Sequence, residues 1–303
     1  ANPDYWDGAP RVETLEFVEF ADSSARVNAL LAGQIDATDG LAAGAYQTVG
    51  SRDGLNVLAA PGDAYTCFYM DTTQKPFDDV RVRQAMRLLV DRQALVQQAY
   101  GGLAEIGNDI AGRFDPDRAE LPQREFDIEK ARSLLKAAGQ SNLSVELATS
   151  DISAAAGGAS QVIVEQAKQA GVTVKLKKIP ASDYFAPTTG YGSHAFGVSL
   201  GGTSNYLRSV DLVSGPEAVY PETKYKNKKF WGLLADARAT TDDEKRKEIV
   251  AEMQKIEYDD GGYILPAFDS GVSGFADKVK GIEKIRGSFG LNDYRFERVS
   301  VES

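Results

Sequence analysis

An α/β fold is predicted by three observations in this 303-residue sequence. Extended apolar runs alternate with amphipathic helical runs twice, in the first forty residues and again from Leu143 to Leu176, which is the order of a β-α-β crossover. Several helical runs are entered at a carboxylate and left at a glycine. A share of 43% apolar and 26% charged residues suits a globular chain long enough for a substantial core.

The elements follow in order. Asn2 to Pro10 has the turn residues of a loop, and Val12 to Phe20 reads as a β-branched and aromatic strand. Asp22 or Ser23 caps a helix with Val27, Leu30 and Leu31 inward, closed by Gly33, and Ile35 to Ala37 resumes the extended form, suggesting a parallel crossover. Cys67 to Met70 is a buried strand, and Thr72 to Pro76 must turn because a proline ends it. Asp78 or Asp79 caps the next helix, whose Val82, Ala85, Met86, Leu89 and Val90 make one apolar face, leaving Arg81, Arg83, Gln84 and Arg87 to the other faces. Asp91 recaps a second helix with Leu95, Val96 and Ala99 inward, and Gly101-Gly102 supplies a left-handed exit.

Arg113 to Arg124 is loop-like, and Asp127 caps a helix with Ile128, Ala131, Leu134, Leu135 and Ala138 on one face. Leu143, Val145 and Leu147 alternate as a strand, Ser160 to Ala170 is helical, and Val172, Val174 and Leu176 alternate again, forming the second β-α-β unit. Pro180 to Pro221 reads as irregular around a short strand at Ala195 to Leu200. Two helices follow at Phe230 to Ala239 and Asp242 to Tyr258, stopped by Gly261-Gly262, and the tail from Tyr263 onward is strands and turns, including Phe296 to Val301.

Pro76-Phe-Asp-Asp-Val-Arg-Val-Arg-Gln-Ala85 followed by Val90-Asp91-Arg92 resembles the signature of the family 5 extracellular solute-binding proteins, the peptide, nickel and opine receptors of ABC importers. The opening Asn2-Pro3-Asp4-Tyr5-Trp6, the set Arg26, Ala29, Leu30, Gly33, Ile35, Asp36 and Ala37, and the helix from Asp127 to Gly139 extend the resemblance. It implies a periplasmic-binding-protein-like type II (cluster C) fold. Residues 1–66 would be part of a first lobe, 67–266 a second, C-terminal α/β lobe, and 267–303 the return to the first, with hinge strands near Tyr65 to Tyr69 and Leu265 to Phe268. In the family such an opening lies well inside the protein, so the chain is expected to be a C-terminal portion. The polar Ala1 to Asp7 has no signal-peptide pattern, and a signal and lipid-anchoring cysteine are expected on the missing N-terminal part.

The resemblance implies an extracytoplasmic protein, in the periplasm or as a cell-surface lipoprotein, that binds a peptide-like or other small solute between hinged lobes and delivers it to ABC transporter permease subunits without catalysis. The charge of −10 argues against nucleic acid, and no run of about 18 apolar residues exists to span a bilayer. One cysteine, Cys67, and one histidine, His194, exclude an internal disulfide and Cys- or His-rich metal clusters, and no cofactor is expected. Asp36, Asp39, Asp115 and Asp117 lack calcium-loop spacing. The basic run Lys175 to Lys178 reads as an exposed strand edge, and Trp6 and Trp231 as packing residues.

Gly197-Val-Ser-Leu-Gly201 fits the Gly-x-Ser-x-Gly nucleophile elbow, so a serine hydrolase using Ser199 is the alternative. Its partners fail: the single histidine, His194, precedes Ser199, whereas in those hydrolases it follows. A non-binding scaffold module is the third reading. Peptide-binding members carry a Trp and Asp-Tyr-x-x-Pro after the equivalent strand, but here Thr203 or Asn205 takes the aspartate position, which departs from recognition of a free peptide amine. The expected solute contacts are Phe68 and Tyr69 at one crossing, with Ser199, Thr203, Ser204, Asn205, Tyr206 and Asp211 on the loop.

Overall fold

The computed structural model describes residues 2, 4–20, 22–186, 189–287 and 290–302. Pro3 of the expected opening loop, and residues 187–188 of the expected irregular stretch, lie outside the described residues. In chain order the elements are α1 (Ser23–Leu31), β1 (Ala37–Thr38), α2 (Ala43–Gly50), β2 (Leu55–Pro61), β3 (Ala64–Met70), α3 (Val80–Leu88), α4 (Arg92–Tyr100), β4 (Ala104–Ile106), α5 (Ile128–Ala137), β5 (Ser144–Thr149) and α6 (Ala156–Gln169). There follow β6 (Thr173–Lys178), α7 (Ala181–Tyr184), β7 (Phe196–Gly202), α8 (Tyr206–Val213), α9 (Lys228–Ala239), α10 (Asp243–Asp260), β8 (Tyr263–Ile264), β9 (Ala267–Ala276), β10 (Val279–Lys280) and β11 (Ser300–Val301). The chain divides into two compact units, one of Ala1–Gly62, Tyr100–Glu105 and Asp269–Ser303, the other of Asp63–Ala99 and Ile106–Phe268.

The first unit is built on β9, which pairs antiparallel with β1 and β2 and also carries β4. Asp22 caps α1 by accepting the Ala25 N–H at 2.8 Å, and Leu30, Leu41, Val49 and Val272 form the unit's core. Val12 to Phe20 forms no strand, and its Phe17 is 77% exposed. The supposed parallel crossover is absent because β1 runs antiparallel to β9 instead of pairing with residues 12–20. β-branched and aromatic residues fit a pleated surface, but a ladder also needs a partner strand. Trp6, expected to be packed, is 84% exposed.

The second unit holds a five-stranded sheet in the order β6-β5-β7-β3-β8. β5 is parallel to β6 and β7, with α6 as the crossover to β6, whereas β3 is antiparallel to β7 and β8. The exposed lysines of β6 lie on the sheet's edge, where charge discourages further strand pairing. Asp79 caps α3, Asp127 caps α5 and Asp242 caps α10, each side chain accepting a backbone N–H of the first turn. Helices α9 and α10 pack together with α8 around Phe230, Leu234, Val250, Met253, Tyr206 and Val210.

Arg83 and Arg87 overturn the simple division of α3 into apolar and charged faces, since both are buried. Their guanidinium groups cap the far end of α10: Arg87 donates to the Tyr258 carbonyl at 3.0 Å and the Tyr263 carbonyl at 2.8 Å, and Arg83 to the Asp260 carbonyl at 2.8 Å. Asp109 lies wholly buried beside them. It accepts from Arg92 at 2.8 and 2.9 Å, from Arg124 at 2.7 Å and from the Leu265 N–H at 3.0 Å. Burial pushes the Asp109 carboxyl up, but the neighbouring arginines outweigh it and hold the group below the ordinary carboxylate value.

Candidate functional site

The antiparallel register of β3 and β7 sets Tyr65 opposite Gly201, Cys67 opposite Ser199 and Tyr69 opposite Gly197. A Cβ on Gly201 would stand 2.3 Å from the Tyr65 ring, and one on Gly197 would stand 2.5 Å from the Tyr69 hydroxyl. The two glycines of Gly-Val-Ser-Leu-Gly are therefore where tyrosines of the neighbouring strand lie across the sheet. Ser199, between them, gives its hydrogen to Glu222 Oε1 at 2.8 Å. His194 is engaged elsewhere, with Nδ1 4.0 Å from Glu146, and burial, with a smaller contribution from the Lys177 charge, keeps the ring below its ordinary pKa. The geometry thus pairs the elbow serine with a carboxyl instead of the imidazole that partners it in the hydrolases using this elbow.

Glu222 lies on the segment between α8 and α9 and is buried. Tyr263, from β8, donates to its Oε2, and the Tyr191 hydroxyl is a further partner. Burial drives the Glu222 carboxyl above the ordinary glutamate value, and the hydrogen bonds from Tyr263, Ser199 and Tyr191 only partly offset this.

These groups face a cavity of about 460 Å³ within the second unit. Its wall combines Ser199 to Thr203 from the end of β7, Ser209, Leu212 and Val213 from α8, and Tyr65, Phe185, Tyr191, Tyr220 and Glu222. Phe185 and Tyr220 are exposed, whereas Tyr191 stacks on Tyr184 with centroids 5.6 Å apart. A concave, largely apolar wall with a few convergent polar groups is the usual form of a small-molecule site.

The expected contact residues separate on inspection. Ser199 and Thr203 line the cavity. Phe68 is buried against Phe196, and Tyr69 is buried with its hydroxyl donated to the Tyr191 carbonyl, so neither presents surface to a solute. The stretch read as one loop in fact turns into α8. Ser204 donates to Asp63, and Asn205 caps α8 by accepting the Arg208 N–H at 2.8 Å. Tyr206 is buried in the helical core and donates to Glu257 Oε2 at 2.9 Å. Asp211, on α8, is paired with Arg238. Glu222 was not anticipated; a lone glutamate after Pro221 in a turn-rich stretch carries no pattern that separates it from a surface residue.

The other acidic positions have structural partners. Asp115 accepts the Asp117 N–H at 2.8 Å, Asp117 meets Arg246 at 2.9 Å and Asp39 accepts from Tyr294 at 2.6 Å. Among the described residues no group of carboxylates, histidines and cysteine could hold a metal ion, and no helix is long and apolar enough to cross a membrane.

Residues 1–212 match the family described as bacterial extracellular solute-binding proteins, family 5 Middle. Among curated relatives, the glutathione-binding protein GsiB of Pectobacterium atrosepticum is 26% identical over 289 residues, a match covering 91% of this chain and 56% of the relative. The GsiB of Salmonella typhimurium matches with the same identity and coverage, so the chain spans about half the length, 56%, of the curated relatives it matches. Among solved structures, the ABC transporter substrate-binding protein CtaP of Listeria monocytogenes superposes with a TM-score of 0.88 at 20% identity, covering 100% of this chain and 63% of that one. The periplasmic binding protein DppA of Helicobacter pylori, in complex with the peptide STSA, gives 0.81 at 22% identity over 94% of this chain and 56% of its own. These likenesses show the type II periplasmic-binding-protein fold.

Proposed function

Because the chain belongs to the bacterial extracellular solute-binding proteins of family 5, we propose that it is the solute-receiving part of an extracytoplasmic binding protein serving an ABC importer, without catalysis of its own. The observation that carries this is the cavity at the end of β7, which offers hydroxyls, aromatic rings and a carboxyl, with no imidazole among its described lining residues. The names of the relatives, a glutathione-binding protein and a receptor with a bound tetrapeptide, support a small peptide-like solute for this chain. Ser199 and Thr203 are the proposed direct contacts. Ser204, Asn205, Tyr206 and Asp211 hold the β7–α8 turn in place, while Phe68 and Tyr69 support the wall from behind. Delivery to the membrane permease subunits, and capture by hinged lobes, belong to the same proposal.

Thermal denaturation and isothermal titration with glutathione and a library of di- to pentapeptides test the reading. At least one solute raises the melting temperature and titrates at one site, and Thr203→Trp, which fills the cavity, weakens it about tenfold or more, the equivalent of ~1.4 kcal/mol. Absence of any binding, or binding indifferent to Thr203→Trp, overturns it.

A further inference from the structure

Glu222 is 6% exposed, lines the cavity and is the sole carboxylate among the described residues of its wall, where no lysine, arginine or histidine accompanies it. Its nearest partners are all hydroxyls. Ser199 donates to one carboxylate oxygen at 2.8 Å and Tyr263 to the other. The Tyr191 hydroxyl is a further partner, so hydroxyls hold the carboxyl in place in the cavity wall. The rings of Tyr65, Tyr191, Tyr220 and Phe185 line the same cavity. Aromatic faces attract a cation through their quadrupole, and they offer nothing comparable to an anion.

We infer that this cavity takes a positively charged group of the solute, an alkylammonium or guanidinium, with Glu222 as its counter-ion and the surrounding rings as its walls. This rests on the proposed solute-binding function and names the chemistry its site selects. Asp63, bonded to Ser204 of the β7 turn, is buried outside the cavity lining, and Asp211 is paired with Arg238, which leaves Glu222 to set the charge preference. Burial makes ionised Glu222 costly while the cavity holds no cation, and a bound cation removes that cost. The same carboxylate opposes a solute anion at this position, so discrimination comes from attraction and repulsion together.

The test uses three peptides, Ala-Lys-Ala, Ala-norleucine-Ala and Ala-Glu-Ala, each with a free and an acetylated N-terminus, titrated calorimetrically into the chain. A charge-assisted contact of this kind predicts that peptides carrying the recognised cation bind about tenfold or more tighter than those lacking it, with the acetylated glutamate form weakest. A preference for lysine over norleucine that survives acetylation supports a side-chain cation, and a preference that follows the free amine supports the peptide terminus as the cation. Glu222→Gln, checked for folding by its melting transition, abolishes the preference for the cation. Equal affinity for charged and neutral peptides in the unaltered chain, or a preference retained in Glu222→Gln, overturns the inference and leaves the solute-binding function standing. Failure of all six peptides together with the wider library overturns both.

Discussion

Asp109 has a left-handed backbone, with φ of 63°, a region aspartate tolerates better than most side chains. Its carboxylate is the shared anion of Arg92 and Arg124, with Arg87 4.0 Å away. Burial pushes the Arg87 guanidinium down to about 10, with Asp109 opposing that shift. Removing only the charge, by Asp109→Asn, keeps the shape and the backbone preference but leaves buried guanidinium groups without their counter-ion. The expected cost is ~3–5 kcal/mol of unfolding free energy, measurable by urea denaturation. A loss below ~1 kcal/mol would mean that backbone carbonyls alone satisfy these arginines.

Helix α10 shows how an element can carry a pH dependence. Its Glu257 is buried, accepts from Tyr206 of α8 at 2.9 Å and from Ser214 at 2.8 Å, and is raised above the ordinary 4.5 by burial, which the two hydroxyls and Arg87 only partly offset. Glu222 is raised for the same first reason. Groups raised in the folded state bind protons more readily than in the unfolded chain, so stability grows as pH falls from neutrality toward 4.5. Asp109 and Asp71 are lowered from 3.8, and their contribution, present above that value, is lost as pH falls through their folded values. The melting temperature should therefore peak on the acid side of neutrality, and Glu257→Gln should flatten the decline toward neutral pH while leaving the acid limb. A profile unchanged by that substitution would remove Glu257 from the account. The helices were the most legible elements because a carboxylate cap and a 3.6-residue apolar stripe are local signals, as at Asp79 and Asp127. Arg83 and Arg87 misled because their burial depends on carbonyls at the end of α10, well over a hundred residues away. Helix α8 was hidden behind Gly201-Gly202-Thr203-Ser204, whose turn composition masks the eight residues that follow. Glu222 became a site residue only through Ser199 and Tyr263, partners that no local pattern announces.

At the scale of the whole molecule, the two units differ in how their backbones are engaged. The second contains the five-stranded sheet, whereas the first includes the stretch 12–20, which joins no strand. Amide hydrogen exchange should be fast across residues 12–20 and slow in β3, β5 and β7, whose residues are mostly buried and laddered. Protection of residues 12–20 equal to that of β7 would contradict the architecture described. The pairing of β2 with β9 has a further consequence during synthesis. Asn56 bonds to Asp277 across 221 residues of sequence. A ribosome adding about 5–20 residues per second needs roughly 10–40 s to make that interval. Throughout that time β2 exists without its partner, while the strands and helices of the second unit are being completed. Protecting the early strand from wrong associations is thus a problem of timing, set by where along the gene its partner is encoded.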